Sequence, residues 1–319
     1  MLLIAAPGQG AQTPGFLLPW LEVPGFADRL AWWSAVTGLD LARYGTEADA
    51  DEIRDTAVAQ PLLVAAALAA AEALGVDLGP RKEAAGTGPD TRPGAVAGHS
   101  VGELAAAAMA GVLSPEAALV LVRERGRAMA EAAKQAPTGM TAVLGGDPDE
   151  VLTAIAKHDL TPANINGAGQ VVAAGTMEQL AAFAEEPPEK ARLRPLQVAG
   201  AFHTQHMAPA VDTLRRITPG MPVADPVTGL LSNRDGAVVD AGADYVARLV
   251  DQVSSPVRWD ACMRTMTELG VTAIIELPPA GTLVGLARRE LSGVEVLAVK
   301  KPEDLDKARA LMAEHGGGH

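Results

Sequence analysis

Short apolar runs closed by glycine or proline alternate along this chain with longer segments of helical character. Leu2–Ala6 is an apolar run stopped by Pro7-Gly8, the pattern of a parallel strand buried on both faces. Gln60–Leu74 is rich in alanine and leucine and predicts a helix, and Gly75–Pro93, dense in glycine, proline and charge, predicts a surface loop. Ala95–Ala97 reads as a strand, Val101–Ala110 as a helix, and Ser114–Ala133 as a long helix opening on the start signature Ser-Pro-Glu. The rhythm then changes. Met140–Leu144 reads as a strand, Pro148–Lys157 as a helix, Pro162–Asn166 and Val171–Ala174 as strands, Thr176–Ala184 as a helix and Leu193–Val198 as a strand. That βαββαβ order is the ferredoxin-like pattern, and it fits residues 135–199 as a self-contained insertion. From about Gly200 the α/β pattern resumes. Val223–Leu231 ends at the turn Ser232-Asn233-Arg234-Asp235-Gly236. Helices are expected at Ala243–Val253, Trp259–Leu269 and Thr282–Leu291, and strands at Ala273–Glu276 and Val294–Val299. There is no internal repeat. The expected fold is α/β, with a large parallel-sheet domain formed by residues 1–134 and 200–312, the inserted ferredoxin-like subdomain between them, and a disordered tail at 313–319.

Composition narrows the class. At 319 residues the chain is longer than one core usually serves, which suits a large domain with a subdomain. Apolar residues make up 48% and charged residues 20%, as in an ordinary globular protein. Aromatics are only 3%, so Leu, Val, Ile and Ala must fill the core. A net charge of −13 argues against nucleic acid or an anionic membrane as the main partner. The single cysteine, Cys262, permits no internal disulfide and fits a reducing compartment. Leu2–Ala6 lacks a basic leading region and is too short for a signal peptide or a membrane span, and no other stretch reaches spanning length without charges or breakers. A soluble, cytoplasmic protein is expected.

The strongest local signal is Gly98-His99-Ser100-Val101-Gly102, a GxSxG between a predicted strand and a predicted helix. A sharp strand-to-helix turn lifts the serine oxygen out of the sheet, and the glycines make room for it. The Val101 N–H then points where an oxyanion forms, and the helix dipole favours negative charge there. With 33 glycines the pattern alone can arise by chance. The strand before it and helix after it favour a nucleophile, and give the large domain an α/β-hydrolase-like character with a nucleophile elbow.

A serine nucleophile needs a base. Of the histidines, His99 sits inside the elbow and reads as structural, His158 lies in the insertion, and His315 and His319 lie in the tail. That leaves His203 and His206 in Gly200-Ala201-Phe202-His203-Thr204-Gln205-His206-Met207. Each competes with the reading of a buried, satisfied histidine. His203, nearer the domain junction, is favoured as the base. No orienting acid follows from spacing, since Asp147, Asp149 and Asp159 all fall in the insertion, which weighs against an ordinary esterase. Pro7-Gly8-Gln9-Gly10 makes a tight loop at a strand end. If that strand lies beside the nucleophile strand, the Gln9 N–H becomes a second oxyanion donor. Arg125 lies on the long helix between Arg123 and Arg127, and spacing gives it no advantage over them.

PGQGAQ at 7–12, GHSVGE at 98–103, VRERGRAM at 122–129, GAFHTQHM at 200–207, SNRDG at 232–236 and QVSSPVRW at 252–259 resemble, in order and spacing, the malonyl-CoA:acyl-carrier-protein transacylases, over essentially the whole chain. The resemblance implies transfer of a malonyl group from malonyl-CoA to the pantetheine thiol of an acyl carrier protein, for fatty acid or polyketide synthesis. It implies Ser100 as acylated nucleophile, His203 as base, Gln9 and Val101 as oxyanion donors, and Arg125 as the clamp on the malonyl carboxylate. Gln252 matches the glutamine near the catalytic histidine, and Asn166 and Met129 match positions near the acyl pocket. Phe202, before the histidine, matches a malonyl rather than methylmalonyl preference. In the family, backbone carbonyls orient the histidine, which accounts for the missing acid. No cofactor and no metal are implied, and a monomer is the simplest expectation. One departure is Pro278-Pro279-Ala280, where the family shows a GPG turn. An acidic carrier must also dock on an acidic chain, and Arg288, Arg289, Lys190, Arg192 and Arg194 are candidates for the basic patch, against the reading of solvated surface charge. The rival readings are a serine hydrolase of thioesters or esters, and a non-enzymatic acyltransferase-like accessory protein.

Overall fold

The computed structural model describes residues 1–80 and 93–316. Most of the expected surface loop, residues 81–92, and residues 317–319 of the expected tail lie outside them. The first half of the chain forms β1 (Leu2–Ala6), α1 (Phe26–Thr37), α2 (Leu41–Thr46), α3 (Thr56–Leu74), β2 (Ala95–Gly98), α4 (Gly102–Met109) and α5 (Pro115–Ala133). There follow β3 (Thr138–Gly145), α6 (Pro148–Lys157), β4 (Thr161–Gly167), β5 (Gln170–Thr176), α7 (Met177–Glu185) and β6 (Ala191–Pro195). The remainder is α8 (Ala208–Ile217), β7 (Gly229–Leu230), α9 (Gly242–Gln252), β8 (Val257–Arg258), α10 (Trp259–Glu268), β9 (Ala273–Glu276), α11 (Thr282–Glu290), β10 (Glu295–Ala298) and α12 (Leu305–His315).

β1 is the centre of a parallel sheet ordered β10-β9-β1-β2-β7. Its alternating side chains feed two cores, as a strand's two-residue period requires. Leu2, Ile4 and Ala6 pack with α3, α4 and α5, while Leu3 and Ala5 pack with α10 and α11. Every residue of β1 is buried, which is why its sequence reads as an unbroken apolar run rather than an alternation.

The second sheet is ordered β6-β3-β5-β4-β8. β3 to β6 pair antiparallel in the ferredoxin-like order. One face, with Val143, Val171 and Ala173, packs with Val151 and Ile155 of α6 and Leu180 and Phe183 of α7. The other face, with Ala142, Val172 and Ala174, joins the large core. β8, from the second half of the chain, pairs parallel with β4. The insertion is therefore knitted to the large domain by both an apolar face and a strand, and is not self-contained.

Three further expectations change. Of Val223–Leu231 only Gly229–Leu230 joins the sheet. Pro222 and Pro226 remove donors, and the N–H groups of Ala224 and Val227 bond instead to Val112 and Ala110. The chain stays helical past residue 313, because α12 buries Leu311 and Met312 and His315 Nδ1 meets Thr272 Oγ1 at 2.8 Å. α3 begins at Thr56, with the Asp55 side chain capping Ala57 N–H. By length and composition alone this helix is apolar enough to cross a membrane, but it carries Pro61 and Glu72, and 83% of the apolar window is buried inside the fold.

Candidate active site

The elbow depends on contacts that only glycine allows. His99 N–H donates to the Ala6 carbonyl at 3.0 Å, which seats the turn between β2 and α4 against the end of β1. A Cβ on Gly98 would lie 2.0 Å from the Gly102 carbonyl carbon, and one on Gly102 would lie 2.2 Å from the Ala6 oxygen. Ser100 sits at φ 52°, a conformation that costs a non-glycine residue about 1–3 kcal/mol. Asn233 holds it there. The Asn233 Oδ1 accepts Ser100 N–H at 2.7 Å, and its Nδ2 donates to Gly98 O at 2.7 Å.

Ser100 Oγ lies 2.7 Å from His203 Nε2. The imidazole's other nitrogen, Nδ1, meets the Gln252 backbone carbonyl at 2.8 Å. A carbonyl can only accept, so Nδ1 carries the hydrogen and Nε2 offers its lone pair to the serine. His203 is also at positive φ, 61°, and is tied by its N–H to Val253 O at 3.2 Å. His206, the alternative base, is a turn element whose N–H is taken by Thr204 Oγ1. Burial first, and the nearby Arg125 cation second, push the His203 imidazole down to about 3, so it is neutral through the physiological range.

Arg125 is 2% exposed and lies under the serine, with Nη2 3.4 Å from Ser100 Oγ. Its Nη1 donates to Gln60 Oε1 at 2.7 Å and its Nη2 to Gln252 Oε1 at 2.8 Å. Burial lowers its pKa to about 10, with Glu103 opposing, so the guanidinium stays charged. Arg123 instead donates to the Thr37 carbonyl, and Arg127 pairs with Glu124 at the surface. The structure thus separates three arginines that spacing could not.

Ser100 and His203 open onto a cavity of about 530 Å³, also lined by Gln9, Val101, Met129, Asn166 and Phe202. β1 and β2 are neighbours in the sheet, so the Pro7–Gly10 loop borders the elbow. The Gln9 side chain donates to Arg54 O at 3.2 Å, and Gln9 lines the cavity. Among the described residues, neither Gln9 N–H nor Val101 N–H is taken by a protein acceptor. Asn166 Oδ1 accepts from His99 Nε2 at 2.9 Å, so His99 is a cavity residue as well as part of the turn. Met129 Sδ accepts from Gln60 Nε2 at 3.4 Å. The departure at Pro278-Pro279 is a cis peptide. Beyond it, Glu276 accepts the N–H groups of Gly281, Leu283 and Val284 and so caps α11, a wall of the cavity.

Three residues without an assigned role in the sequence join the site. Asn233 and Glu103 belong to recognised motifs but follow from no spacing rule, and Gln60 lies in an apolar helix where the sole local signal is a polar residue among alanines and leucines.

The acyl transferase domain family matches residues 6–305. This chain belongs to that family. It is 53% identical to the malonyl CoA-acyl carrier protein transacylase of Mycobacterium tuberculosis, over 96% of this chain and 99% of the relative. The crystal structure of MCAT from Mycobacterium tuberculosis superposes with a TM-score of 0.90 at 52% identity, covering 97% of this chain and 99% of the other. A malonyl-transacylase solved in complex with a type II PKS acyl-carrier protein matches with a TM-score of 0.87 at 29% identity, covering 97% and 99%.

Two predictions follow from the geometry of this acyltransferase site. Gly102→Ala should lose about 3 kcal/mol or more by overpacking, whereas Gly285→Ala, with nothing within 4 Å of its Cβ, should hold or gain up to about 1 kcal/mol from helix propensity; paired chemical denaturation reads both. His203 ring resonances should not titrate between pH 8 and 5, because the folded pKa lies far below the ordinary imidazole value. The unfolded state then takes a proton that the folded state refuses, so this residue's contribution to stability falls as pH drops below about 6.5.

Proposed function

We propose that this acyltransferase moves a malonyl group from malonyl-CoA to the pantetheine thiol of an acyl carrier protein, by a ping-pong route through a malonyl-Ser100 ester. The observation that carries the reading is the meeting of Ser100 Oγ with neutral His203 on one side and the buried Arg125 cation on the other. An esterase needs the first contact. Only an acyl group bearing a negative charge uses the second.

Ser100 Oγ attacks the thioester carbonyl while His203 Nε2 takes its proton. The oxyanion is held by the N–H groups of Gln9 and Val101, a donor pair of which each member is worth about 3–4 kcal/mol in sites of this type. The C–S bond then breaks, and coenzyme A leaves with the proton from His203. The malonyl ester remains, its carboxylate on Arg125, whose planar fork binds a carboxylate in two places where lysine offers a point charge. The pantetheine thiol next gives its proton to His203 and its sulfur attacks the ester. The C–O bond breaks and Ser100 recovers the proton. Gln252 orients the base and helps to hold Arg125. Phe202, Asn166 and Met129 shape the acyl pocket, with Phe202 favouring malonyl over the branched methylmalonyl group. The side chains and backbone carry this chemistry, with malonyl-CoA as substrate. A cytoplasmic site of action accords with a single, buried, reduced cysteine.

For the carrier, the exposed Arg288 and Arg289 lie on α11, and Arg192 and Arg194 on β6 beside Lys190. Both elements run into the cavity wall, at Leu283 and Leu286 and at Leu196 to Val198. These positions suit an acidic carrier delivering a thiol to Ser100 despite the chain's net negative charge.

Intact-mass measurement after mixing with malonyl-, methylmalonyl- and acetyl-CoA should show a malonyl adduct on the native protein and none on Ser100→Ala; an adduct on the variant removes Ser100 from the role. Arg125→Ala should lose about 3 kcal/mol, roughly a hundredfold, in malonyl transfer while accepting acetyl better, and Arg125→Lys should not restore it. Charge reversal at Arg288 and Arg289 should raise the KM for the carrier and flatten its salt dependence, with malonyl-CoA acylation unchanged; unchanged carrier kinetics would dispose of the patch.

A further inference from the structure

Glu103 is a carboxyl group 1% exposed, one turn into α4 from the nucleophile, and the reaction sequence above does not use it. Its Oε1 accepts Asn233 N–H at 2.6 Å, and its Oε2 accepts from Gln252 Nε2. The orientation of Gln252 is not free. Arginine has no acceptor, so the oxygen of the Gln252 amide must face Arg125 and its nitrogen must face Glu103. That nitrogen also lies 3.1 Å from Ser100 O. Both oxygens of Glu103 therefore confront N–H donors. An ionised carboxylate satisfies both donors, whereas a protonated carboxyl or a carboxamide turns a hydrogen toward one of them, a cost that the burial of the charge has to exceed. Through Asn233, Glu103 reaches the strained Ser100 backbone. Through Gln252 it reaches both the His203 imidazole and the Arg125 guanidinium.

The charges around it are few. Among the described residues, Arg125 on α5 is the one nearby cation acting on it, the Tyr245 hydroxyl on α9 and the Cys262 thiol on α10 face it, and His203 is neutral. When ionised, Glu103 forms with Arg125 a buried opposite-charge pair bridged by one amide. A malonyl carboxylate on Arg125 brings a second negative charge into the same buried space. Two carboxylates served by one guanidinium do not both stay ionised at low cost.

We propose that Glu103 is a positioning residue whose negative charge competes with that of the substrate: where it is ionised it offsets Arg125 in the empty site, and it takes up a proton from solvent when the acyl carboxylate arrives. This rests on the malonyl transferase reading above. Burial raises the Glu103 carboxyl of the empty site to about 8, against the pull of its Asn233 bond, Arg125 and Gln252, so the exchange operates above that value, and below it the group is already neutral. The sign is fixed. Below that value Glu103 is neutral and Arg125 is fully available to malonyl; above it, ionised Glu103 competes.

The experiment compares acyl-enzyme formation from malonyl-CoA and acetyl-CoA between pH 6.5 and 9.5, roughly one and a half units either side of that value. The ratio cancels groups common to both donors. In the native protein the malonyl-to-acetyl ratio should fall as pH rises through about 8, by up to about tenfold per pH unit for one linked proton. In Glu103→Gln both acyl groups should react more slowly, since Gln252 is no longer held, and the ratio should be flat. A ratio whose pH dependence survives the substitution, or a native ratio that is flat, overturns the proposal. Should Glu103→Gln not fold, calorimetry of malonyl-CoA and acetyl-CoA binding to Ser100→Ala near pH 8.5, in two buffers of different ionisation enthalpy, reads the proton directly. Uptake with malonyl-CoA alone supports the exchange, and equal uptake with both refutes it. The two levels stay separable: no malonyl adduct on the native protein refutes the transferase reading, whereas a malonyl-selective, Arg125-dependent enzyme with a pH-flat ratio refutes the role of Glu103 alone.

Discussion

A guanidinium shut away from water must be met by acceptors, and Arg125 dictates much of what surrounds it. An unpaired buried charge costs several kcal/mol. Here two amide oxygens, from Gln60 on α3 and Gln252 at the end of α9, take two of its nitrogens. Once those oxygens are committed, the amide nitrogens have to point the other way. One finds the Met129 sulfur, the other finds Ser100 O and Glu103. A single cation on α5 thus orders side chains from three further helices. The parallel sheet brings these helices together by placing β1 and β2 side by side, so that the turn after each strand faces the same cavity.

The same network holds backbone strain. Ser100 and His203 face each other at 2.7 Å, and both have positive φ. Each conformation costs about 1–3 kcal/mol on its own. Asn233 ties the first to Gly98, and Val253 ties the second to the chain just past α9. Gln252 contributes to both ends, with its backbone carbonyl on the imidazole and its side chain on the serine's own carbonyl. Preorganisation here is a matter of hydrogen-bond donors and acceptors that have no other solution.

The sequence was legible where one local rule dominates. β1, wholly buried, reads as an apolar run, α5 announces itself with Ser114 and Pro115, and α6 with Asp147 and Pro148. Glycines at 98 and 102 mark the elbow because no side chain fits there. Other elements carry weaker marks. α1 spaces its buried Phe26, Leu30 and Trp33 among exposed residues with a modest apolar face, α2 is a single short helix, and α8 starts directly after the histidine motif. β7 and β8 are pairs of residues, defined by their neighbours rather than by their own pattern. In the site, the proposed nucleophile and a shortlist for its base follow from local chemistry. The choice of Arg125 over Arg123 and Arg127 needed family likeness at the level of sequence, because it depends on which face of α5 turns inward. Gln60, Glu103 and Asn233 act across separations of 65 to 149 residues, so no local pattern encodes them.

The absence of an acid behind His203 also bears on what the acyl-enzyme can do next. A carboxylate at Nδ1 would raise the basicity of the imidazole; a backbone carbonyl brings only a partial charge, while burial and Arg125 push the other way. On the proposed roles, the base is weak. It can assist an acceptor whose own proton leaves readily, and a thiol, at about 8.5, is far more acidic than water at about 15.7. On those roles a water molecule entering the cavity is a much poorer proton donor to the same base than a thiol, which favours a pantetheine thiol as the acceptor.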